Sequence, residues 1–298
     1  MSKQKRTEPG ASGYMASATS TVGGAKGDRA QSGLQPKWWV ICRKEFAEMR
    51  RNKMILGTLA AMPIVFAVVL PLVYIILPTS FGDMTEADVS MFRQMFPWLP
   101  ASLAPNAVFI YYMLQTMIAF FLMLPGVIPT LIAAYSIIGE KKTKSLEPLL
   151  ATPISTLELF FGKVMSAVVP TVAVTWFAFA LFCAIVDFVT FPQFGYLVVP
   201  DLNWLLVIFV LSPLFALMSV IASTIVSSRV TDIRAAEQIS ALFIIPVMVL
   251  FVGPVVGLFI IGPTLILLLI LLFIAIDVLL LFVGVGLFDR ENILIKWK

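Results

Sequence analysis

Long, uninterrupted apolar stretches limit the folds open to this chain more than any other feature of its sequence. Runs rich in Leu, Ile, Val and Phe recur after residue 54, and about 20 such residues cross a hydrocarbon layer about 30 Å thick as a helix. A segment inside lipid must satisfy its own backbone hydrogen bonds, which favours helices. The strands of a transmembrane barrel would instead alternate apolar and polar residues. The sequence therefore predicts an all-α integral membrane protein.

Composition indicates that lipid is the solvent for most of the chain. The sequence is 60% hydrophobic and 13% charged, whereas a soluble domain is about half apolar and a quarter charged. The formal charge of +4 is modest, and we expect no nucleic-acid partner. The chain has no histidine, which removes imidazole metal ligands and histidine general bases. We expect no catalytic, cofactor or metal site, and no disulfide between Cys42 and Cys183.

Six spans are predicted, at 55–78, 108–138, 164–187, 204–226, 239–261 and 264–287. Prolines inside these spans imply kinks or short breaks, and neighbouring helices are expected to satisfy the carbonyls that are freed. The prolines concerned are Pro63, Pro71, Pro125, Pro129, Pro246 and Pro254.

The parts outside the spans have distinct predicted structures. Residues 1–36 contain too few large apolar residues to offset the cost of ordering, which predicts a disordered cytoplasmic tail. In 37–53, Trp38, Cys42, Phe46 and Met49 recur every three or four residues, which predicts an amphipathic helix on anionic inner-leaflet lipid. The alternative is a juxtamembrane helix that only anchors the chain. The transmembrane domain is 54–288, and 289–298 form a cytoplasmic C-terminus.

Basic residues set the predicted orientation, because cytoplasmic loops of membrane proteins carry an excess of Lys and Arg. Outside the tail, the outer loops carry only Arg93. The inner segments carry Lys37, Arg43, Lys44, Arg50, Arg51, Lys53, Lys141, Lys142, Lys144, Lys163, Arg229, Arg234, Arg290, Lys296 and Lys298. Both termini are therefore predicted to be cytoplasmic. In the outer loop 79–107, an apolar stretch at 91–98 is expected to lie in the interface, and Asp187 is expected to be solvated.

The cytoplasmic loop 139–163 holds the most informative pattern. Ser145 can cap a short helix in which Leu146, Leu149 and Leu150 form a compact apolar patch. Such a patch within a charged loop suggests a partner surface, although the loop could instead fold back on its own bundle. Pro153 ends that unit. Ser155 and Glu158 then form a predicted capping box for the helix that leads into the third span.

The loop resembles that of ABC-2 type permeases, the membrane subunits of ABC transporters, with the approximate pattern E-x-x-x-G-T-L-E-x-L-L-x-T-P-I-S and a following Gly-Lys. Lys144 and Ser145 depart from that pattern. The matching residues are Glu140, Leu146, Glu147, Leu149, Leu150, Thr152, Pro153, Ile154, Ser155, Gly162 and Lys163. Three further segments resemble the family's connecting helix, the loop before its fifth helix and its closing motif: Arg43-Lys44-Glu45, 227–240 and 288–294.

The resemblance implies a six-helix permease that pairs with a second copy or a paralogue in the plasma membrane. It also implies a separate ATPase subunit that binds ATP and Mg, with the short helix at 145–150 seated in that subunit as a coupling helix. The chain itself lacks a P-loop, since Val164 follows Gly162-Lys163 and Leu157 replaces the first glycine of the motif. Family analogy favours export of an amphiphilic, lipid-like or small-molecule cargo.

Asp277 is a charge near the middle of the last predicted span, where a carboxylate costs several kcal/mol unless it is neutralised, paired or hydrated. One hypothesis is a polar site on a substrate or cation path, and the other is a protonated Asp that hydrogen-bonds between helices. The first would suit an ion-gradient-driven secondary transporter or channel, which is the alternative function. An intramembrane enzyme would need a catalytic cluster that Asp277 alone does not provide.

Overall fold

The described residues of the computed structural model form helices connected by short segments. The structure describes 37–80, 84–143, 155–230 and 261–287, with isolated positions between 232 and 253. The helices are α1 (Lys37–Met49), α2 (Lys53–Ile64), α3 (Leu70–Ser80), α4 (Glu86–Met95), α5 (Pro105–Thr143), α6 (Thr156–Phe194), α7 (Leu202–Leu206), α8 (Ser212–Arg229) and α9 (Pro263–Leu287). One π-helical turn, Val65–Val69, joins α2 to α3, and another, Val207–Leu211, joins α7 to α8.

Five helical segments are long and apolar enough to cross a membrane, which confirms the all-α membrane class. They are Ile55–Ile76, Pro105–Ala133, Leu157–Phe194, Leu202–Ser228 and Pro263–Gly284. The predicted span 239–261 lies mostly outside the described residues, as do the predicted tail 1–36 and the C-terminus 289–298. The count of six spans and the cytoplasmic termini therefore stay predictions.

Helix α5 is the centre of the bundle. In the most apolar part of α5, 78% of the segment is buried inside the protein. In the corresponding parts of Ile55–Ile76 and Pro263–Gly284, only 22% is buried. Both α5 and α6 have 39 residues, a length of about 58 Å at 1.5 Å per residue. This is about twice the thickness of a hydrocarbon core, so both helices project well beyond the lipid.

The prolines of the described helices fall into two groups. Pro63, Pro125 and Pro129 lie inside continuous α-helices, whereas two others follow π-helical turns. Each π-helical turn ends two residues before a proline, Pro71 or Pro213. In the second turn Ser212 N donates to Val207 O, and Pro213 has no N–H to offer Ile208 O. Trp176 Nε1 of α6 donates to Ile208 O at 3.0 Å. A neighbouring helix therefore satisfies the carbonyl freed by Pro213, a proline that the sequence analysis did not single out.

The connections at the end of the bundle away from α1 are also packed. Val89 of α4, just before the predicted interfacial stretch 91–98, is fully buried. Within that stretch, the Phe92 ring stacks on Tyr112 of α5 at 4.3 Å. The expectation that Asp187 is only solvated is wrong. Its Oδ1 accepts hydrogen bonds from Val198 N at 2.8 Å and Val199 N at 3.0 Å, which fixes the segment after α6.

Candidate functional site

The predicted coupling loop is described only at its two ends. Helix α5 continues to Thr143 and therefore includes Glu140, whose backbone is helical. The predicted short helix, with its cap, its apolar patch and the proline that ends it, lies outside the described residues. The residues concerned are Ser145, Leu146, Glu147, Leu149, Leu150 and Pro153. Their proposed contact with an ATPase therefore stays a prediction.

The predicted capping box at the start of α6 is confirmed. Ser155 Oγ accepts a hydrogen bond from Glu158 N at 3.1 Å, and Glu158 Oε2 accepts one from Ser155 N at 2.8 Å. A cap of this kind contributes about 1 kcal/mol of helix stability. The capping box thus fixes the residue at which the loop passes into α6, while the role of Ser155 and Glu158 in coupling stays a prediction.

Helix α1 packs on the bundle through a face that the sequence predicted only in part. Ile41, Cys42 and Met49 are buried, whereas the predicted apolar Phe46 is 45% exposed. The fourth buried residue of this face is a carboxylate, Glu45, at 7% exposure. The helix ends at Met49 instead of continuing to residue 53, and a turn leads into α2.

Gly162 lets α1 approach α6 closely. A Cβ atom at this position would lie 3.0 Å from Ile41 Cβ and 3.0 Å from the Trp38 carbonyl oxygen. Both distances are too short for ordinary carbon contacts, which need about 3.5 Å. The glycine of the Gly-Lys motif therefore serves helix packing.

The lysine of the same motif lies in a buried polar network. Lys163 Nζ is 3.2 Å from Glu45 Oε1 and 3.1 Å from Ser136 Oγ. Ser136 Oγ donates to Glu45 Oε2 at 2.6 Å. These three residues, which we call the latch, belong to α1, α5 and α6. Ser136 lies one turn before Glu140 and Lys163 two turns after Ser155, so the latch joins both ends of the coupling loop to α1.

The electrostatics of the latch favour an ionised Glu45. Burial raises the pKa of this carboxyl, but the Lys163 ammonium, the Ser136 hydroxyl and Lys44 together hold the pKa below its ordinary value. Glu45 and Lys163 therefore compensate each other as an ion pair at neutral pH. Removing one member of a buried pair leaves an uncompensated charge, which costs about 3–5 kcal/mol.

Sequence reasoning named Glu45 within a matched motif, and Lys163 both there and among the inner basic residues, but it did not pair them. The signal available was the position of Glu45, which lies three residues after Cys42 and four before Met49, on the buried stripe of a helix. A carboxylate on such a stripe needs a cation. The sequence does not say which cation, since Lys163 is 118 residues away.

Asp277 lies in α9 at 3% exposure. Among the residues that the structure describes, neither of its carboxylate oxygens has a hydrogen-bond partner, and no Lys or Arg nitrogen forms an ion pair with it. Asp277 is therefore a buried carboxylate to which the described residues provide neither a hydrogen bond nor an opposite charge. Both hypotheses for Asp277 stay predictions.

Comparisons with known proteins agree with the resemblance seen in the sequence. A family model described as "ABC-2 family transporter protein" matches residues 39–276. That range is more than half of the chain and includes the latch, the coupling loop and α2 to α8. A search of the curated proteins finds no match.

Proposed function

Because the chain belongs to the ABC-2 family of transporter proteins and is thus the membrane subunit of an ABC transporter, we propose that its 139–158 loop couples it to a separate ATPase subunit. In this proposal the apolar patch at Leu146, Leu149 and Leu150 seats in that subunit. ATP and Mg bind on the partner, and closure of the partner displaces the loop.

The observation that carries the proposal is the latch. Lys163, Glu45 and Ser136 join α1, α5 and α6 by contacts of 2.6–3.2 Å next to both ends of the loop. A flexible loop would absorb a displacement without moving the helices. In this proposal the latch instead transmits a displacement of the loop to three helices at once. Two of them, α5 and α6, continue as long helices through the bundle.

The proposed cargo is an amphiphilic, lipid-like or small molecule that is exported, and the proposed assembly contains a second permease copy or a paralogue. Family resemblance supports both statements. Short predicted outer loops also favour export, because they provide no large external domain to capture a substrate from outside.

The test is affinity purification of the tagged chain from its native membrane in mild detergent, with identification of the proteins that co-purify. We expect a P-loop ATPase with the wild type and its loss with Leu149→Asp combined with Leu150→Asp, because charges cannot enter an apolar seat. The matched control is Leu149→Met with Leu150→Met, which keeps the patch apolar and should retain the ATPase. Undiminished recovery of the ATPase with the charged variant contradicts the proposal.

The burial of Asp277 favours one second candidate, an ion-gradient-driven secondary transporter or channel. A buried carboxylate without a described partner is what an ion-coupling site in a membrane requires. This candidate predicts transport by the purified chain in vesicles without an ATPase, and loss of that transport with Asp277→Asn. Transport that requires the ATPase and is unchanged by Asp277→Asn excludes it.

A further inference from the structure

A cavity lies at the end of the bundle away from α1 and the latch. Its volume is about 430 Å³, within the range of small-molecule sites. The segments before α5 and after α6, together with α5, α7 and the start of α9, provide its walls. The residues that give it chemical character are Trp98, Tyr111, Tyr196, Asp201 and Asn203.

Asp201 gives this cavity a negative charge that no described cation compensates. Its Oδ1 accepts a hydrogen bond from Trp204 N at 3.0 Å, and its Oδ2 accepts from Gln115 Nε2 and from Tyr111 OH. All three donors are neutral groups. Within the described ranges no Lys or Arg nitrogen lies within ion-pair distance of this carboxylate.

Arg93, the basic residue of the predicted outer loop, is already engaged elsewhere. Its guanidinium contacts Glu86 at 3.1 Å and donates to the carbonyl oxygens of Pro100 and Leu103. Asn203 adds a buried oxygen, Oδ1, that has no hydrogen-bond partner among the described residues. The charged group of the described cavity wall is thus a carboxylate, which suits a positive ligand.

Aromatic rings form a further part of the cavity wall, and contacts within the protein hold them in place. The buried Phe96 ring packs edge-on against Trp98 at 5.5 Å and against Tyr111 at 5.0 Å. Trp98 Nε1 also donates to Tyr111 OH at 3.4 Å. The segment that carries Tyr196 is fixed by the hydrogen bonds from Val198 N and Val199 N to Asp187.

We propose that this cavity binds an organic cation with a quaternary ammonium group. The faces of Trp and Tyr rings attract such a group through their negative electrostatic potential, and Asp201 supplies the opposite charge. A small inorganic cation would need several oxygen ligands in place of its water shell, and the aromatic wall does not provide them. The ammonium group belongs to the choline headgroup of a lipid or to a soluble cation of the same chemistry. This site is separate from the coupling loop and does not depend on the ATPase.

The test is equilibrium dialysis of radiolabelled choline against the purified full-length chain in detergent. We expect saturable binding by the wild type and binding about ten-fold weaker in Asp201→Asn, Trp98→Leu and Tyr196→Leu, as the loss of a desolvated charge or cation–π contact implies. Asp201→Asn keeps the oxygen that caps α7, and Trp98 and Tyr196 are exposed, so the variants should fold. Trp39→Leu, which removes an exposed ring on α1, is the control and should bind as the wild type does.

Two competitors complete the experiment. The neutral isostere 3,3-dimethylbutan-1-ol should not displace choline, because it lacks the charge. If short-chain phosphatidylcholine displaces choline and phosphatidylglycerol does not, the ligand is a lipid headgroup; if neither lipid displaces it, the ligand is a soluble cation. Both results support the site. The proposal is overturned if the wild type shows no saturable choline binding, or if Asp201→Asn and Trp98→Leu both bind choline as tightly as the wild type does.

Discussion

Replacing Lys163 by Met should release α1 from the bundle, because the substitution leaves Glu45 buried beside a neutral side chain. Loss of one member of a buried ion pair costs about 3–5 kcal/mol. The lower value applies here, since Ser136 still donates to Glu45 and Lys44 Nζ remains 3.7 Å from it. A cost of about 3 kcal/mol raises the fraction of molecules with α1 undocked by roughly 100-fold.

Cys42 is a native reporter for this opening. It is a free thiol on the docked face of α1 and is 8% exposed, so a maleimide reagent reaches it when α1 undocks. In a Cys183→Ala background Cys42 is the remaining cysteine of the sequence. Its labelling rate in detergent at fixed pH should rise by roughly 100-fold in Lys163→Met.

Two further variants make this prediction specific to the latch. Lys53→Met removes an exposed lysine at the start of α2 and should leave the rate unchanged. Combining Lys163→Met with Glu45→Gln removes both charges and should restore most of the protection, because a neutral pair is cheaper to bury than a lone charge. If Lys163→Met labels no faster than Lys53→Met, the latch does not hold α1 and the reasoning fails.

Three other predictions follow from the same contacts. The difference in thermal midpoint between wild type and Glu45→Gln should have its full size at pH 7 and should shrink as the pH falls below about 4.5. The reason is that a carboxyl whose pKa is lowered in the folded state loses its stabilising effect once it is protonated. A constant difference down to pH 3 would contradict this. Gly162→Ala should accelerate the labelling of Cys42, because the added Cβ displaces α1. Gly139→Ala is the control and should not accelerate it, since a Cβ at that position meets nothing within 4 Å. Equal labelling rates in the two variants would show that Gly162 is not a packing constraint. Trp176→Phe should lower the free energy of unfolding in detergent by about 1–3 kcal/mol, because Ile208 O loses its hydrogen-bond donor. Phe188→Leu, at an exposed site, should have little effect. Equal stability of the two variants would mean that another donor serves Ile208 O.

Hydrophobic runs predicted which described segments form long apolar helices but not where those helices end. The second and third spans were predicted at 108–138 and 164–187, whereas α5 covers Pro105–Thr143 and α6 covers Thr156–Phe194. Helices that leave the lipid continue through polar residues, which hydropathy cannot distinguish from a loop. Local capping chemistry is more informative there, since the Ser155–Glu158 capping box predicts the start of α6 and Gly195, at φ 70°, marks its end.

The latch shows why the site could be predicted only in part. Periodicity predicted an amphipathic helix for α1 from its apolar residues, but it made no prediction for Glu45, which is buried. The burial of Glu45 depends on Lys163 and Ser136, which other helices supply from distant parts of the sequence. Local sequence patterns predict helix faces and caps. They do not predict charge pairs between helices, because these depend on how the helices pack.

The most direct test of the coupling account is photo-crosslinking from the loop itself in native membranes. A photoreactive amino acid at position 149 should form a crosslink to a P-loop ATPase, because the apolar patch is proposed to lie in that subunit. The same group at position 188, where Phe188 is 84% exposed on α6, should not. Crosslinks from position 149 that reach α5 or α6 of the same chain, with none to an ATPase, would contradict the account.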